Sequence, residues 1–150
     1  MNKKNELRQI EILLVDDSAG DVRLAVEALK DSKVLNRVST VSDGVEAMAF
    51  LRKEGKYENT PCPDLILLDL NMPRKDGRET LAEIKQDPLL KTIPVVILTV
   101  SSADEDIIKA YNLYANCYIT KPIDLTQFQR IVNSINDFWF TIVKLPPKPC

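Results

Sequence analysis

The sequence predicts a doubly wound α/β domain: a five-stranded parallel sheet of order 2-1-3-4-5 with helices on both faces. Three observations carry this. Short apolar runs alternate with longer helical patterns five times along 150 residues, the signature of successive βαβ units. The runs are continuously apolar rather than alternating, as in strands buried on both sides. And the first, third and fourth runs each end in an acid or hydroxyl, which places polar groups along one edge of such a sheet.

The elements follow in order. "IEILLV" (10–15) reads as a buried strand, and "AGDVRLAVEALKDS" (19–32) as a helix. That helix has Val22, Ala25, Val26 and Leu29 on one face, with Ser18 or Asp21 as N-cap. "RVSTVS" (37–42) is a shorter, more polar edge strand, and "DGVEAMAFLRKEG" (43–55) a helix stopped at Gly55. "KYENTPCP" (56–63) is a long loop before the central strand "DLILLD" (64–69). "GRETLAEIKQDP" (77–88) is a helix ending before Pro88. "IPVVILT" (93–99), "DEDIIKAYNLY" (104–114), "NCYIT" (116–120) and "DLTQFQRIVNSINDFWFTIVK" (124–144) complete the alternation. Residues 1–9 form an N-terminal extension, 10–144 the domain, and 145–150 a proline-rich tail. No internal repeat or linker to a second domain is visible.

Composition narrows the chemistry. With 45% hydrophobic and 28% charged residues the chain reads as an ordinary globular domain. A net charge of −2 offers no footprint for nucleic acid. The apolar run of the basic N-terminus is only four residues long and stops at two acids, so it is neither a signal peptide nor a membrane span. Three cysteines (Cys62, Cys117 and Cys150), uneven in number and without metal-ligand spacing, point to a reducing cytoplasm. There is no histidine at all. That excludes a Ser-His-Asp triad, a Cys-His pair and a His-ligated zinc.

In a sheet of this order ligands bind beyond the carboxyl ends of strands 1 and 3. Strand 1 ends at Asp16-Asp17, strand 3 at Asp69, strand 4 at Thr99 and strand 5 at Thr120-Lys121. Three carboxylates, a hydroxyl and an ammonium thus converge. Clustered carboxylates repel, and a divalent cation relieves them. Oxygen-only donors select Mg²⁺ or Mn²⁺, leaving positions for a phosphoryl oxygen. Phosphoryl transfer fits such a site: Asp69 as nucleophile, Lys121 and the cation neutralising charge, Thr99 donating to an oxygen. Any single strand-end acid is more often a helix N-cap or loop solvator, and Asp43 and Asp76 are read as one or the other.

Four motifs then carry a family resemblance: "LLVDDS" (13–18), "LILLDLNMPRKDG" (65–77), "VVILT" (95–99) and "YITKP" (118–122). In this order and spacing the chain resembles the receiver domain of two-component response regulators, of flavodoxin-like fold, over residues 10–143. The resemblance implies that Asp69 is the phosphoacceptor for a histidine kinase. It implies that Asp16, Asp17, Asp69 and the Asn71 backbone carbonyl bind the metal. Thr99 and Lys121 would sense the phosphoryl group, Tyr118 would be the switch aromatic, and the bond before Pro122 would be cis. Val100 departs from the family, where a small residue is usual; its branched side chain would narrow access to the phosphoryl site.

A narrower likeness lies in "KEGKYENTPCP", "RKDGRETLAEIKQDP" and "INDFWFTIVKLPP". These are similar to stand-alone regulators of cyanobacterial phytochrome-type histidine kinases, which implies such a kinase as phosphodonor and a homodimer. The last predicted helix supports a second interface on its own. Leu125, Phe128, Val132, Ile135, Trp139 and Ile142 form a core stripe, and Ile131, Phe138 and Val143 add apolar surface beyond it. Phe138, Trp139, Phe140, Val143 and Tyr111 are the expected dimer or partner surface.

Other readings are weaker. A phosphatase with a strand-end Asp nucleophile needs a second acid two residues on, where Asn71 stands. A flavodoxin-like electron carrier needs a phosphate cradle where two acids stand. A DNA-binding regulator needs a helix-turn-helix, for which no chain is left. A receiver-like scaffold that is never phosphorylated has only Val100 in its favour.

Overall fold

The computed structural model describes residues 9–31, 36–99 and 117–120. Five parallel strands form one sheet in the order β2-β1-β3-β4-β5: β1 (Ile10–Val15), β2 (Asn36–Val41), β3 (Leu65–Asp69), β4 (Val95–Thr99) and β5 (Cys117–Thr120). Three helices are described: α1 (Ala19–Lys30), α2 (Gly44–Arg52) and α3 (Gly77–Gln86). The expected sheet order is the observed one. The helices read over 104–114 and 124–144, and the proposed surface on the latter, lie outside the described residues.

The apolar runs fill both faces. Leu13, Val15, Ile66, Leu68, Val95 and Ile97 pack with residues of α2 and α3 in one cluster. Ile12, Leu14, Leu65, Leu67, Val96 and Leu98 pack with Ala25, Ala28 and Leu29 of α1 in the other. Successive strand residues point to opposite faces. An unbroken run is therefore what a sheet covered on both sides requires.

Local chemistry sets the helix ends. Ser18, Asp43 and Asp76 are the N-caps, accepting from the backbone N–H groups of Asp21, Glu46 and Glu79. α3 ends at Gln86 because Asp87, before Pro88, is held extended. The end of α2 differs from the sequence reading. Its stop is Lys53 in the left-handed conformation (φ 58°), not Gly55, which opens a 3₁₀ turn over Gly55–Tyr57. The Lys53 and Glu54 N–H groups satisfy the orphan carbonyls of Phe50 and Ala49, so the capping bonds outweigh the left-handed preference for glycine. Cys62 also departs from expectation. It is buried and disulfide-bonded. An odd count of three still leaves room for one bridge.

Two contacts tie α3 to the sheet. The Gly77 N–H donates to the Leu70 carbonyl at 2.9 Å, and a Cβ at Gly77 would sit 2.3 Å from the Asp69 carbonyl oxygen. At the other end the Lys85 ammonium donates to the carbonyls of Lys91 and Ile93, just before β4, at 3.1 and 3.0 Å. Burial holds the Lys85 pKa below its ordinary value.

The clash at Gly77 is with backbone, which cannot swing away. Gly77→Ala is expected to lower stability by about 1–3 kcal/mol, read from the urea midpoint. Gly20→Ala, in the first turn of α1 with nothing within 4 Å of the added carbon, is the contrast and should gain up to about 1 kcal/mol.

Candidate metal and phosphoacceptor site

β1 and β3 are neighbours with Val15 opposite Leu68, so the residues just past each register end share one edge. One carboxylate oxygen from each of Asp16, Asp17 and Asp69 lies within 4.8 Å of the others. Asp16 and Asp69 are buried and Asp17 is exposed. The Ser18 N–H donates to Asp16 Oδ1 at 2.9 Å, and the Asn71 N–H to Asp69 Oδ1 at 3.2 Å. At 4.8 Å and an effective dielectric near 20, two carboxylates repel by about 3.5 kcal/mol. A divalent cation removes that repulsion, and oxygen donors alone suit Mg²⁺ or Mn²⁺. The donor set therefore fits a hard divalent ion. Beside it, a cavity of about 320 Å³ opens between the start of α1 and the end of β2, lined by Asp16, Asp17, Arg23, Thr40 and Ser42 among others.

The remaining expected site residues are placed in part. Leu98 is opposite Asp69 and Thr99 is the next residue, opposite Thr120, so both threonines end their strands on the edge that carries Asp69. Tyr118 lies on β5 opposite Ile97. The side chains of Thr99 and Tyr118, and Lys121, Pro122 and Val100 entirely, lie outside the described residues.

The loop from Leu70 to Asp76 holds a group that the sequence reading passed over. Arg74 is left-handed (φ 62°), a conformation disfavoured by about 1–2 kcal/mol for a side chain with a Cβ. Its guanidinium donates through Nε at 2.8 Å to Asp43, the buried N-cap of α2, with Nη2 at 2.7 Å and reaching Glu46 at 3.5 Å. Burial pushes the Asp43 carboxyl up, but the Glu46 N–H and Arg74 outweigh it and leave it below its ordinary value. Glu46 is also held low, first by the Tyr57 hydroxyl, which donates to it at 2.5 Å. Burial and Glu46 in turn push Tyr57 up to about 12. No periodicity or spacing in "NMPRKDG" marks Arg74; only the folded loop brings it to a residue 31 positions away.

Comparison with known proteins places this geometry. The family model described as "response regulator receiver domain" matches residues 12–133. The chain belongs to the response regulator receiver family. Response regulator Rcp1 of Synechocystis sp. (strain ATCC 27184 / PCC 6803 / Kazusa) is 53% identical over 135 residues, 90% of this receiver and 92% of Rcp1. A crystal structure of the phosphorylated cyanobacterial phytochrome response regulator RcpA superposes with a TM-score of 0.83 at 54% identity, covering 93% of this chain and all of that one. The Mn²⁺-bound form of Rcp1 gives a TM-score of 0.80 at 52% identity, covering 92% and 99%. Among the described residues of the receiver, no helix is long and apolar enough to cross a membrane.

If the three acids are a cation site, a bound ion stabilises the fold by mass action. Mg²⁺ or Mn²⁺ at about a thousand times Kd should add about 4 kcal/mol, seen as a rise in Tm. Asp17→Asn should raise the Tm of the metal-free protein and lose the metal-dependent gain.

Proposed function

We propose that this receiver takes a phosphoryl group onto Asp69 from the phosphohistidine of a histidine kinase, and signals through contacts of its own surface. The observation that carries the reading is a buried carboxylate at the end of β3, facing two more acids within 4.8 Å. An Asp69 oxygen attacks phosphorus as the phosphorus–nitrogen bond to the kinase imidazole breaks; the ring nitrogen keeps the bonding pair, and the imidazole leaves neutral because its other nitrogen already carries a proton. Asp16, Asp17, Asp69 and the Asn71 carbonyl would hold Mg²⁺ or Mn²⁺, which supplies neutralisation of charge on the phosphoryl oxygens. Thr99 donates to one of those oxygens, and Lys121 offsets the charge of another. Tyr118 turns with Thr99. The receiver contributes to its own phosphorylation and hydrolysis and has no separate substrate.

RcpA is a phytochrome response regulator and RtBRR a bacteriophytochrome response regulator, which narrows the donor. The kinase is of the phytochrome type, and the setting is the cytoplasm. The apolar surplus in 124–144, with Phe138, Trp139, Phe140, Val143 and Tyr111, supports a homodimer. Neither nucleic acid nor membrane is a partner.

Intact mass after incubation with acetyl phosphate tests the acceptor. One phosphoryl group should be gained only with Mg²⁺, and none by Asp69→Asn. A gain that survives the substitution would move the acceptor elsewhere. For the dimer, light scattering should give a mass rising toward twice 17.0 kDa with concentration; a constant 17.0 kDa would overturn it.

A further inference from the structure

The loop that begins at the phosphoacceptor strand is fastened at several points. At its far end the Gly77 N–H closes on the Leu70 carbonyl, and the Asp76 side chain caps α3. In its middle the Lys75 carbonyl accepts from the Gly44 N–H at 3.0 Å, the first residue of α2. A Cβ on Gly44 would fall 2.6 Å from that same carbonyl, so glycine is what permits the approach. Lys75 also pairs with Glu83 of α3. The remaining fastening is Arg74, whose forked guanidinium reaches Asp43 and Glu46 and holds its own backbone left-handed. Three residues upstream stands Asn71, whose N–H already donates to Asp69.

We propose that Arg74 is a positioning residue for the cation site. Clamped on Asp43 and Glu46, it fixes the 70–76 loop so that the Asn71 main chain is set relative to Asp16, Asp17 and Asp69. The proposal rests on the reading that Asn71 supplies a carbonyl ligand. It concerns affinity for the ion, not the chemistry at Asp69. A partner that orients a ligand in this way typically changes metal affinity 10- to 100-fold.

Charge alone predicts the reverse. Arg74 is a cation near an acidic cluster, so its removal should tighten binding of a divalent ion. For the Arg74→Gly variant the two explanations therefore differ in sign.

The test is calorimetric titration of the full chain with Mn²⁺, comparing wild type with Arg74→Gly, Arg74→Lys and Asp43→Asn. Glycine keeps the left-handed backbone without strain, and Asn keeps the N-cap at position 43. Arg74→Gly and Asp43→Asn should each raise Kd about tenfold. The double variant should do no worse than Arg74→Gly alone, because both substitutions break the Arg74–Asp43 pair. Hydrogen exchange of amides 70–77 should quicken in the metal-free variants. Arg74→Lys, with charge but no fork, should also weaken binding, and it stands in should Arg74→Gly fail to fold. Equal or tighter binding by a folded Arg74 variant overturns the proposal. Failure of wild type itself to bind Mn²⁺ would instead sink the cation site, and this inference with it.

Discussion

The structure is organised by a repulsion. Nothing about strand packing asks for acids at the ends of β1 and β3, yet the parallel register sets Asp16, Asp17 and Asp69 within 4.8 Å of each other. Two of them are buried, where like charge is most expensive. The fold tolerates this through donors built into the turns, the Ser18 and Asn71 N–H groups, and through the cores beneath each face. A site that is costly when empty is one that an incoming cation or phosphoryl group can strongly change.

The supporting shell shows how that cost is distributed. The caps Asp43 and Asp76 open α2 and α3 rather than joining the cluster. Asp43 couples helix start to loop through Arg74, and Glu46 extends the same network to Tyr57. Acids of similar appearance in sequence thus divide into a clustered edge and a structural frame. The difference lies in whether the side chain meets the other strand-end acids or accepts from the first turn of a helix.

Much of this was legible in advance, and the reasons are particular. Unbroken apolar runs specified buried parallel strands, because both sheet faces are covered; strand order then brought the three acids together. Ser18, Asp43 and Asp76 were legible as local solvators or caps, because short polar side chains serve backbone N–H groups nearby, but only the fold chose Ser18 over Asp21 and capping over solvation. The end of α2 was not readable. Gly55 is the obvious breaker, but Lys53 takes the left-handed position because two capping bonds are available there. Arg74 was hidden for a similar reason: its role depends on a residue 31 positions away, and a single arginine in a turn carries no pattern. The Cys62 bridge was missed because three cysteines, an odd count without metal-ligand spacing, read as those of a reducing compartment.

The Lys85 ammonium has a mechanical consequence. By gripping the carbonyls of Lys91 and Ile93 it fastens the tail of α3 to the segment that enters β4, while Gly77 presses the head of the same helix against the end of β3. Helix and both strands form a braced triangle with the Asp69 edge at one corner. A brace of this kind deforms little along its sides. The edge where Asp69 faces Leu98 is thus joined to a helix held at both of its ends.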